Sequence, residues 1–210
     1  SMGTVGLLLA LYFFFTSAFF FRGVILPRIG KALDAKVQAG DIDFSLFGDL
    51  RLGDLEIRTI GQQPLLTSKE VKMEADWWSF LRGKRRLEAV YARETLVHVV
   101  ENPKGSSNLD PVLKALGRSK SGDKGGLHNL HLDQLTLRHS RGSEVTELAL
   151  ERFTLDHWAP NTAGTAQLKG SGARRQGGGQ LSMGLAANAV FGLDAEGRPH
   201  TLKLNGQAQA

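Results

Sequence analysis

Alternation of polar and apolar residues with a period of two runs through most of this 210-residue chain, and it constrains the fold more than any other feature. The segment Asp41–Leu46 reads DIDFSL, and the same alternation returns in Val71–Asp76, Leu87–Tyr91 and Thr95–Val99. Successive side chains of a strand point to opposite faces, so each segment reads as a half-buried strand with one wet and one dry face. The sequence therefore predicts a mainly β body over residues 41–210, arranged as an antiparallel sheet.

An eight-residue pattern occurs three times within these strands. LRLGDLEI at Leu50–Ile57, LHLDQLTL at Leu130–Leu137 and LALERFTL at Leu148–Leu155 all carry apolar residues at positions one, three, six and eight. Period two slips once in the middle of each copy, and a β-bulge at the slip would return all four side chains to one face. A tight turn at the slip and chance recurrence are the competing explanations. Three copies favour a real repeating strand unit in a bulged sheet.

An uncharged apolar segment, Gly3–Phe21, precedes the β body. Its length is close to the roughly 20 residues that a helix needs to cross a bilayer. A buried core helix usually shows a polar face, which this segment lacks. A cleaved signal peptide needs a small-x-small exit, and aromatic residues follow the small residues Thr16-Ser17-Ala18. The segment is therefore predicted to be a retained transmembrane anchor.

The next segment, Val24–Gly40, carries a helical period. Ile25, Ile29, Leu33 and Val37 recur at the spacing of one helix face, and Gly40 is a suitable C-terminal stop. The sequence predicts a short helix over residues 24–40. It is either a cap packed on the end of the sheet or an interfacial helix lying on lipid headgroups.

Arginines and tryptophans mark a second candidate membrane contact. Arg22 and Arg28 follow the apolar segment, and Trp77, Trp78 and Arg82 interrupt the strands as an aromatic and basic turn. Tryptophan is enriched at membrane–water interfaces, so these five residues are predicted membrane-interface residues. The competing interpretation is that the tryptophans cover the end of the sheet while the arginines are solvated.

Composition and residue spacing give no sign of a catalytic, metal-binding or cofactor-binding site. The net charge is +5 with the basic residues scattered, which does not favour a nucleic-acid partner, and the absence of cysteine excludes disulfides and thiolate metal sites. On a strand, His128 and His131 would point to opposite faces, which does not suit a shared metal. We find no nucleophile elbow or phosphate loop. The expectation is a protein that is not an enzyme and holds no metal or cofactor.

The order of these features resembles the AsmA-like proteins, the bacterial group that includes AsmA and TamB. The resemblance covers about Gly3–Gly117. It includes the anchor, the helix ending near Gly40, the segment FGDLRLGDLEI at Phe47–Ile57 and the turn FLRG at Phe80–Gly83. The stretch GSSNL at Gly105–Leu109, which leads into a short helix with Asp110 as its expected N-cap and Pro111 as its first residue, completes it.

The resemblance implies a single-pass anchor in the bacterial inner membrane and a body in the periplasm. In this family the body is a groove-shaped β-sheet related to the chorein-type bridge-like lipid transfer proteins. The resemblance further implies that its dry face carries phospholipid acyl chains between the inner and outer membranes.

A sheet with a continuous apolar face must cover it, close it or fill it with something apolar. The partners expected on this reading are the phospholipid bilayer and acyl chains. The alternative function is an anchored scaffold that assists outer-membrane assembly or integrity by contacting envelope proteins and carries no lipid. Ten residues are the predicted lining of a lipid groove: Leu50, Leu52, Leu55, Ile57, Val71, Met73, Leu130, Leu132, Leu135 and Leu137.

Overall fold

In the part of the chain that the structure describes, ten strands form one sheet. The structure, a computed structural model, describes residues 22–23, 26–44, 49–59, 61, 63–75, 87–118, 127–158, 161–176, 179–194 and 199–209. Helix α1 spans Leu26–Leu33 and helix α2 spans Asp110–Arg118. The strands are β1 Lys36–Gln38, β2 Ile42–Phe44, β3 Asp49–Arg58, β4 Leu66–Glu74, β5 Leu87–Glu101, β6 Leu127–Arg141, β7 Glu144–Asp156, β8 Ala163–Gln176, β9 Gly179–Leu193 and β10 Pro199–Gln209.

The sheet is open, and its strands follow the order of the chain. Strands β3 to β10 lie side by side in sequence order, while β1 and β2 both pair with the outer edge of β3. The prediction of a mainly β protein is confirmed. Among the described residues, every pair of neighbouring strands is antiparallel, as predicted, except one. Strands β5 and β6 are parallel, with Val90 opposite Leu130 and Val97 opposite Leu137.

The parallel pair has a simple cause in the chain between the two strands. Strand β5 ends at Glu101 and β6 begins at Leu127, so the chain must return along the length of the sheet before it pairs again. A parallel connection needs a crossover of about a dozen residues or more, and residues 102–126, which contain α2, supply it. The predicted short helix is thus present within this connection.

The helix predicted over residues 24–40 is shorter than expected. Helix α1 ends at Leu33 because Asp34 adopts a left-handed conformation (φ 51°) and the Ala35 N–H bonds the carbonyl of Gly30 at 2.8 Å. A Cβ at Gly30 would lie 2.6 Å from the Ala35 oxygen, so this closed end requires glycine. Val37, expected on the helix face, lies instead in β1. Gly40 does not stop a helix; its N–H bonds the Gly53 carbonyl of β3.

A line of unusual backbone conformations crosses the sheet where the repeated pattern slips. Asp54, Glu94 and Gln134 have φ values of 47°, 51° and 56°, and Glu94 and Gln134 lie opposite each other in β5 and β6. The β3–β4 and β5–β6 registers are unchanged across this line, so the first two copies of the pattern contain no inserted residue. We call this line the crease. It corrects the bulge prediction for those two copies, because a left-handed residue resets the alternation without a change of register.

The third copy of the pattern does contain a bulge. The register between β7 and β8 shifts between Leu150 and Arg152, so Glu151 is the extra residue. Opposite the bulge, a Cβ at Gly170 would lie 2.2 Å from the Ala149 oxygen, which explains a glycine within β8.

We expect Gln134→Val to lower the free energy of unfolding by about 1–2 kcal/mol, because a side chain branched at Cβ tolerates a left-handed backbone poorly. Gln134→Gly should remain within about 1 kcal/mol of the parent, since glycine accepts this conformation. Thr136→Val on the same strand is the matched control, since Thr136 is not among the residues with positive φ. Urea unfolding of the three variants is the measurement, and equal losses for both valine variants would contradict the role of the crease.

The start of α2 is capped by Ser107. The Ser107 hydroxyl accepts the Leu109 N–H, and the Asp110 carboxylate accepts both the N–H and the hydroxyl of Ser107 at 2.9 Å. This is a reciprocal capping arrangement in which Asp110 stands three residues after the cap, so the prediction of Asp110 as the N-cap was wrong. The two bonds from Ser107 lower the pKa of Asp110, which keeps the carboxylate charged at the helix start.

Within the part of the chain that the structure describes, no helix has the length and apolar character needed to cross a membrane. The predicted anchor Gly3–Phe21 lies outside that part, as do Trp77, Trp78 and Arg82. Of the predicted interface residues, Arg28 is exposed on α1, and Arg22 is exposed with its guanidinium donating to the Gly40 carbonyl.

Candidate functional site

The strand register aligns the apolar side chains in continuous rows across the sheet. Residues that pair directly on neighbouring strands point to the same face. When one residue of a row is assigned to a face of the sheet, all residues of that row lie on the same face. Row 1 consists of Leu50, Met73, Val90, Leu130, Leu155, Ala166, Ala189 and Leu204. Row 2 consists of Leu52, Val71, Ala92, Leu132, Phe153, Leu168, Ala187 and Gly206.

Two further rows lie on the other side of the crease. Row 3 consists of Leu55, Ser68, Thr95, Leu135, Leu150, Gly170 and Leu185. Row 4 consists of Ile57, Leu66, Val97, Leu137, Leu148, Gly172 and Met183. Leu55 packs against the buried cluster that contains Leu50 and Leu52, so rows 1, 2 and 3 share a face. We call the face formed by rows 1 to 4 the apolar face.

All ten residues predicted to line a groove fall in these rows. Leu50, Met73 and Leu130 are in row 1, Leu52, Val71 and Leu132 in row 2, Leu55 and Leu135 in row 3, and Ile57 and Leu137 in row 4. The expectation that Leu50, Leu52 and Leu55 share a face is confirmed by their packing. Their role in holding lipid stays a prediction.

Two polar residues interrupt row 3, and they satisfy each other. Ser68 and Thr95 are buried, and their hydroxyl groups lie 2.8 Å apart. The Ser68 hydroxyl also lies 3.2 Å from the carbonyls of Glu70 and Arg93. A buried hydroxyl is costly only when it has no partner, so this pair keeps the apolar face free of unmet polar groups.

The apolar face is covered at one end and open at the other. Leu26 of α1 packs on Leu50, Leu52 and Val71, and all four are at most 8% exposed. Helix α2 contacts α1 at this end. At the far end Leu204 of row 1 is 66% exposed and Met183 of row 4 is 40% exposed. The helices therefore cover the β3–β4 end and leave the side chains of β9 and β10 accessible.

The opposite face is polar, and its charges are paired across the strands. Lys69 contacts Asp54 at 2.8 Å, Arg93 contacts Glu70 at 3.2 Å, and other pairs join neighbouring strands in the same manner. The further pairs are Arg152 with Asp133, Lys169 with Glu151, Arg138 with Glu147, and Lys72 with Asp49 and Glu74. Among the residues that the structure describes, this pairing balances positive with negative charge across the face.

The protonation states on the polar face fit this pairing. The hydrogen bond to Asp54 raises the pKa of Lys69, and bonds to Glu74 and Asp49 raise that of Lys72. Burial, with a smaller contribution from Arg138, lowers the pKa of His98, whose ring lies 2.9 Å from the Ser140 hydroxyl. At neutral pH the lysines are charged and His98 is neutral.

The described residues include no group of three histidine or acidic side chains placed to hold a metal ion. His131 pairs with Asp156 at 2.6 Å and stacks edge-on against Tyr91 on the polar face, an arrangement that fits a structural contact.

The predicted groove lining did not include the last three strands, although Leu168, Leu185, Met183 and Leu204 continue the rows. The sequence shows Leu181, Met183, Leu185 and Ala187 on one face of a strand, and Leu202 and Leu204 on one face of another. The pairing register, which depends on the partner strands, is what joins them to the rows.

A comparison of the chain with protein-family models gives no match, and no curated protein matches its sequence. The fold and the site define a class by geometry alone: an open, mainly antiparallel sheet with one paired-charge face and one partly uncovered apolar face.

Proposed function

We propose that this protein is a membrane-anchored lipid-binding and transfer module. In the proposal, Gly3–Phe21 holds the chain in the bacterial inner membrane, the body lies in the periplasm, and phospholipid moves between the inner and outer membranes with its acyl chains on the apolar face. The resemblance to AsmA-like proteins supports the proposed compartment, and the partly uncovered apolar face supports the proposed lipid binding.

The observation that carries the proposal is the continuity of rows 1 to 4. Each row crosses at least seven strands without a charged residue, and row 1 ends at Leu204, which is two-thirds exposed. Burying a methylene contributes about 0.8 kcal/mol, so an acyl chain gains substantially by lying there without any specific polar contact.

Site-specific photo-crosslinking of the full chain in membranes tests the proposal. We expect a photoreactive side chain at Leu204 to capture phospholipid, while the same group at Asn205, the next residue on the opposite face, captures none. Because both variants carry the same anchor and differ by one position, proximity to the bilayer cannot produce the difference. Leu132→Asp should reduce capture at Leu204, since an unpaired carboxylate is costly against hydrocarbon. Circular dichroism of Leu132→Asp checks that it folds.

An equal yield at Leu204 and Asn205, or no lipid at either, would contradict the proposal. The scaffold alternative then takes its place. It would use β10, whose described pairing is with β9 alone, because a strand edge can accept a strand from another protein.

A further inference from the structure

The apolar face changes character beyond row 4, toward the ends of β5, β6 and β8 and the start of β7. Row 5, the next on this face, contains Val99, His139, Thr146, Arg174 and Leu181, and row 6 contains Glu101, Arg141 and Glu144. No residue in these segments has a left-handed backbone apart from Gly142 in the turn after row 6, so the alternation that places rows 5 and 6 on the apolar face is unbroken.

The charged residues of rows 5 and 6 contact one another, which confirms that they share a face. The Glu101 carboxylate lies 3.1 Å from the His139 ring and 3.5 Å from the Arg141 guanidinium. Arg174 contacts Glu144 at 2.6 Å. The side chains of the two arginines are 59% and 56% exposed, whereas those of Glu101 and Glu144 are 22% and 32% exposed. We call these five residues the charged rim.

At the other end of the strands, away from the charged rim, aromatic side chains pack together on β8 and β9. Phe191 is 4% exposed and lies over Gly164, where a Cβ would come within 2.4 Å of its ring. Trp158 packs on Phe191 with ring centroids 5.1 Å apart, and Leu193 is 2% exposed. A ligand with one polar and one apolar end would therefore place its polar end at the charged rim.

The order of groups along the strands matches one class of ligand. Leu130 and Leu137 are seven residues apart, so the apolar strip is roughly 20 Å long, enough for the roughly 15 Å that one leaflet contributes to a bilayer core. The Arg174 guanidinium and the His139 ring of row 5 follow, and row 6, about 7 Å further, brings two carboxylates beside Arg141. Acyl chain, phosphate and ammonium follow each other in the same order in a zwitterionic phospholipid.

We infer that the charged rim seats the headgroup of a zwitterionic phospholipid, with the phosphate on Arg174 and His139 and the ammonium on Glu101 and Glu144. Guanidinium groups suit phosphate because they donate paired hydrogen bonds. The carboxylates accept from a primary ammonium and would repel a purely anionic headgroup. The inference rests on the proposed function and adds to it the lipid class and the orientation of the lipid.

The test uses the full chain in vesicles of equal phosphatidylethanolamine and phosphatidylglycerol, with a photoreactive side chain at Leu137. Mass spectrometry of the captured lipid gives the ratio of the two classes. We expect the parent to capture more phosphatidylethanolamine than phosphatidylglycerol. Removing both carboxylates with Glu101→Gln and Glu144→Gln should shift the ratio toward phosphatidylglycerol by roughly two- to fivefold, the range that exposed charge pairs support.

Two variants complete the design. Arg174→Gln should reduce the capture of both lipids, because both carry phosphate. Arg138→Gln combined with Glu147→Gln removes a comparable pair on the polar face of β6 and β7 and should leave the ratio unchanged. The inference about the headgroup is contradicted if the parent captures the two lipids in the ratio present in the vesicles, or if that ratio is unchanged when both glutamates are replaced. Either result leaves the proposed lipid binding intact. Absence of lipid at Leu137 and at Leu204 overturns the proposed function itself.

Discussion

Leu50→Ala is expected to lower the free energy of unfolding by about 2–5 kcal/mol, the range for removing a large aliphatic side chain from a packed core. Leu50 is 1% exposed and packs with Leu26, Leu52 and Val71, so its loss leaves a cavity between α1 and the sheet. Urea unfolding followed by circular dichroism measures the change. Hydrogen exchange should also show faster exchange in α1, because Leu26 loses part of its contact surface.

Leu204→Ala is the matched control for that measurement. It removes the same atoms from the same row, but Leu204 is 66% exposed, so we expect a change within about 0.5 kcal/mol. Comparable losses in the two variants would show that the far end of row 1 is covered in the folded protein, and the assignment of an open end would fail.

Asn108→Ala is expected to destabilise the protein by about 2–4 kcal/mol. Asn108 is 4% exposed, and its amide accepts the Val100 N–H and donates to the His98 carbonyl, both at 2.9 Å. These bonds attach the segment before α2 to the last residues of β5, which extend past the point where β4 begins. Truncation leaves these two partly buried backbone groups without the Asn108 amide, and a buried group without a partner costs about 1–3 kcal/mol.

Asn102→Ala provides the comparison within the same loop. Its side chain also makes several hydrogen bonds, including those from the N–H groups of Lys104 and Ser106, but Asn102 is exposed and water can replace them. Thermal unfolding of the two variants separates the contributions of burial and of hydrogen-bond number. If Asn102→Ala costs as much as Asn108→Ala, burial of the Asn108 amide is not what holds the loop.

The parts of the fold that sequence reasoning predicted correctly are those that depend on local periodicity. The strands were predicted from alternation, and the pattern shared by Leu50–Ile57 and Leu130–Leu137 predicted that eight residues lie on one face. Both predictions succeed because side-chain direction in a strand depends on near neighbours. For those two copies, sequence reasoning did not predict correctly how the alternation is reset in the middle of the pattern. A left-handed Gln134 and an inserted residue both reset the alternation, and a single strand does not distinguish them.

The parts that were missed depend on partners far away in the chain. Val37 continues the helical period after Leu33, yet it pairs with Ile57 of β3, and that pairing prevails over the local pattern. The charged rim escaped notice for the same reason. His139, Arg141 and Arg174 look like scattered surface charges until the register brings them beside Glu101 and Glu144.

The single parallel pair has a consequence for the order in which the chain folds. Arg141 and Glu144, which pair across the β6–β7 turn, are three residues apart, whereas Val90 and Leu130 are 40 residues apart. Closing the longer loop costs about 2 kcal/mol more in chain entropy, at about 0.6 kcal/mol for each doubling of length. Contacts of long sequence separation slow folding. The meanders β3–β5 and β6–β10 can thus form early and independently, and the β5–β6 seam is the last part of the sheet to close.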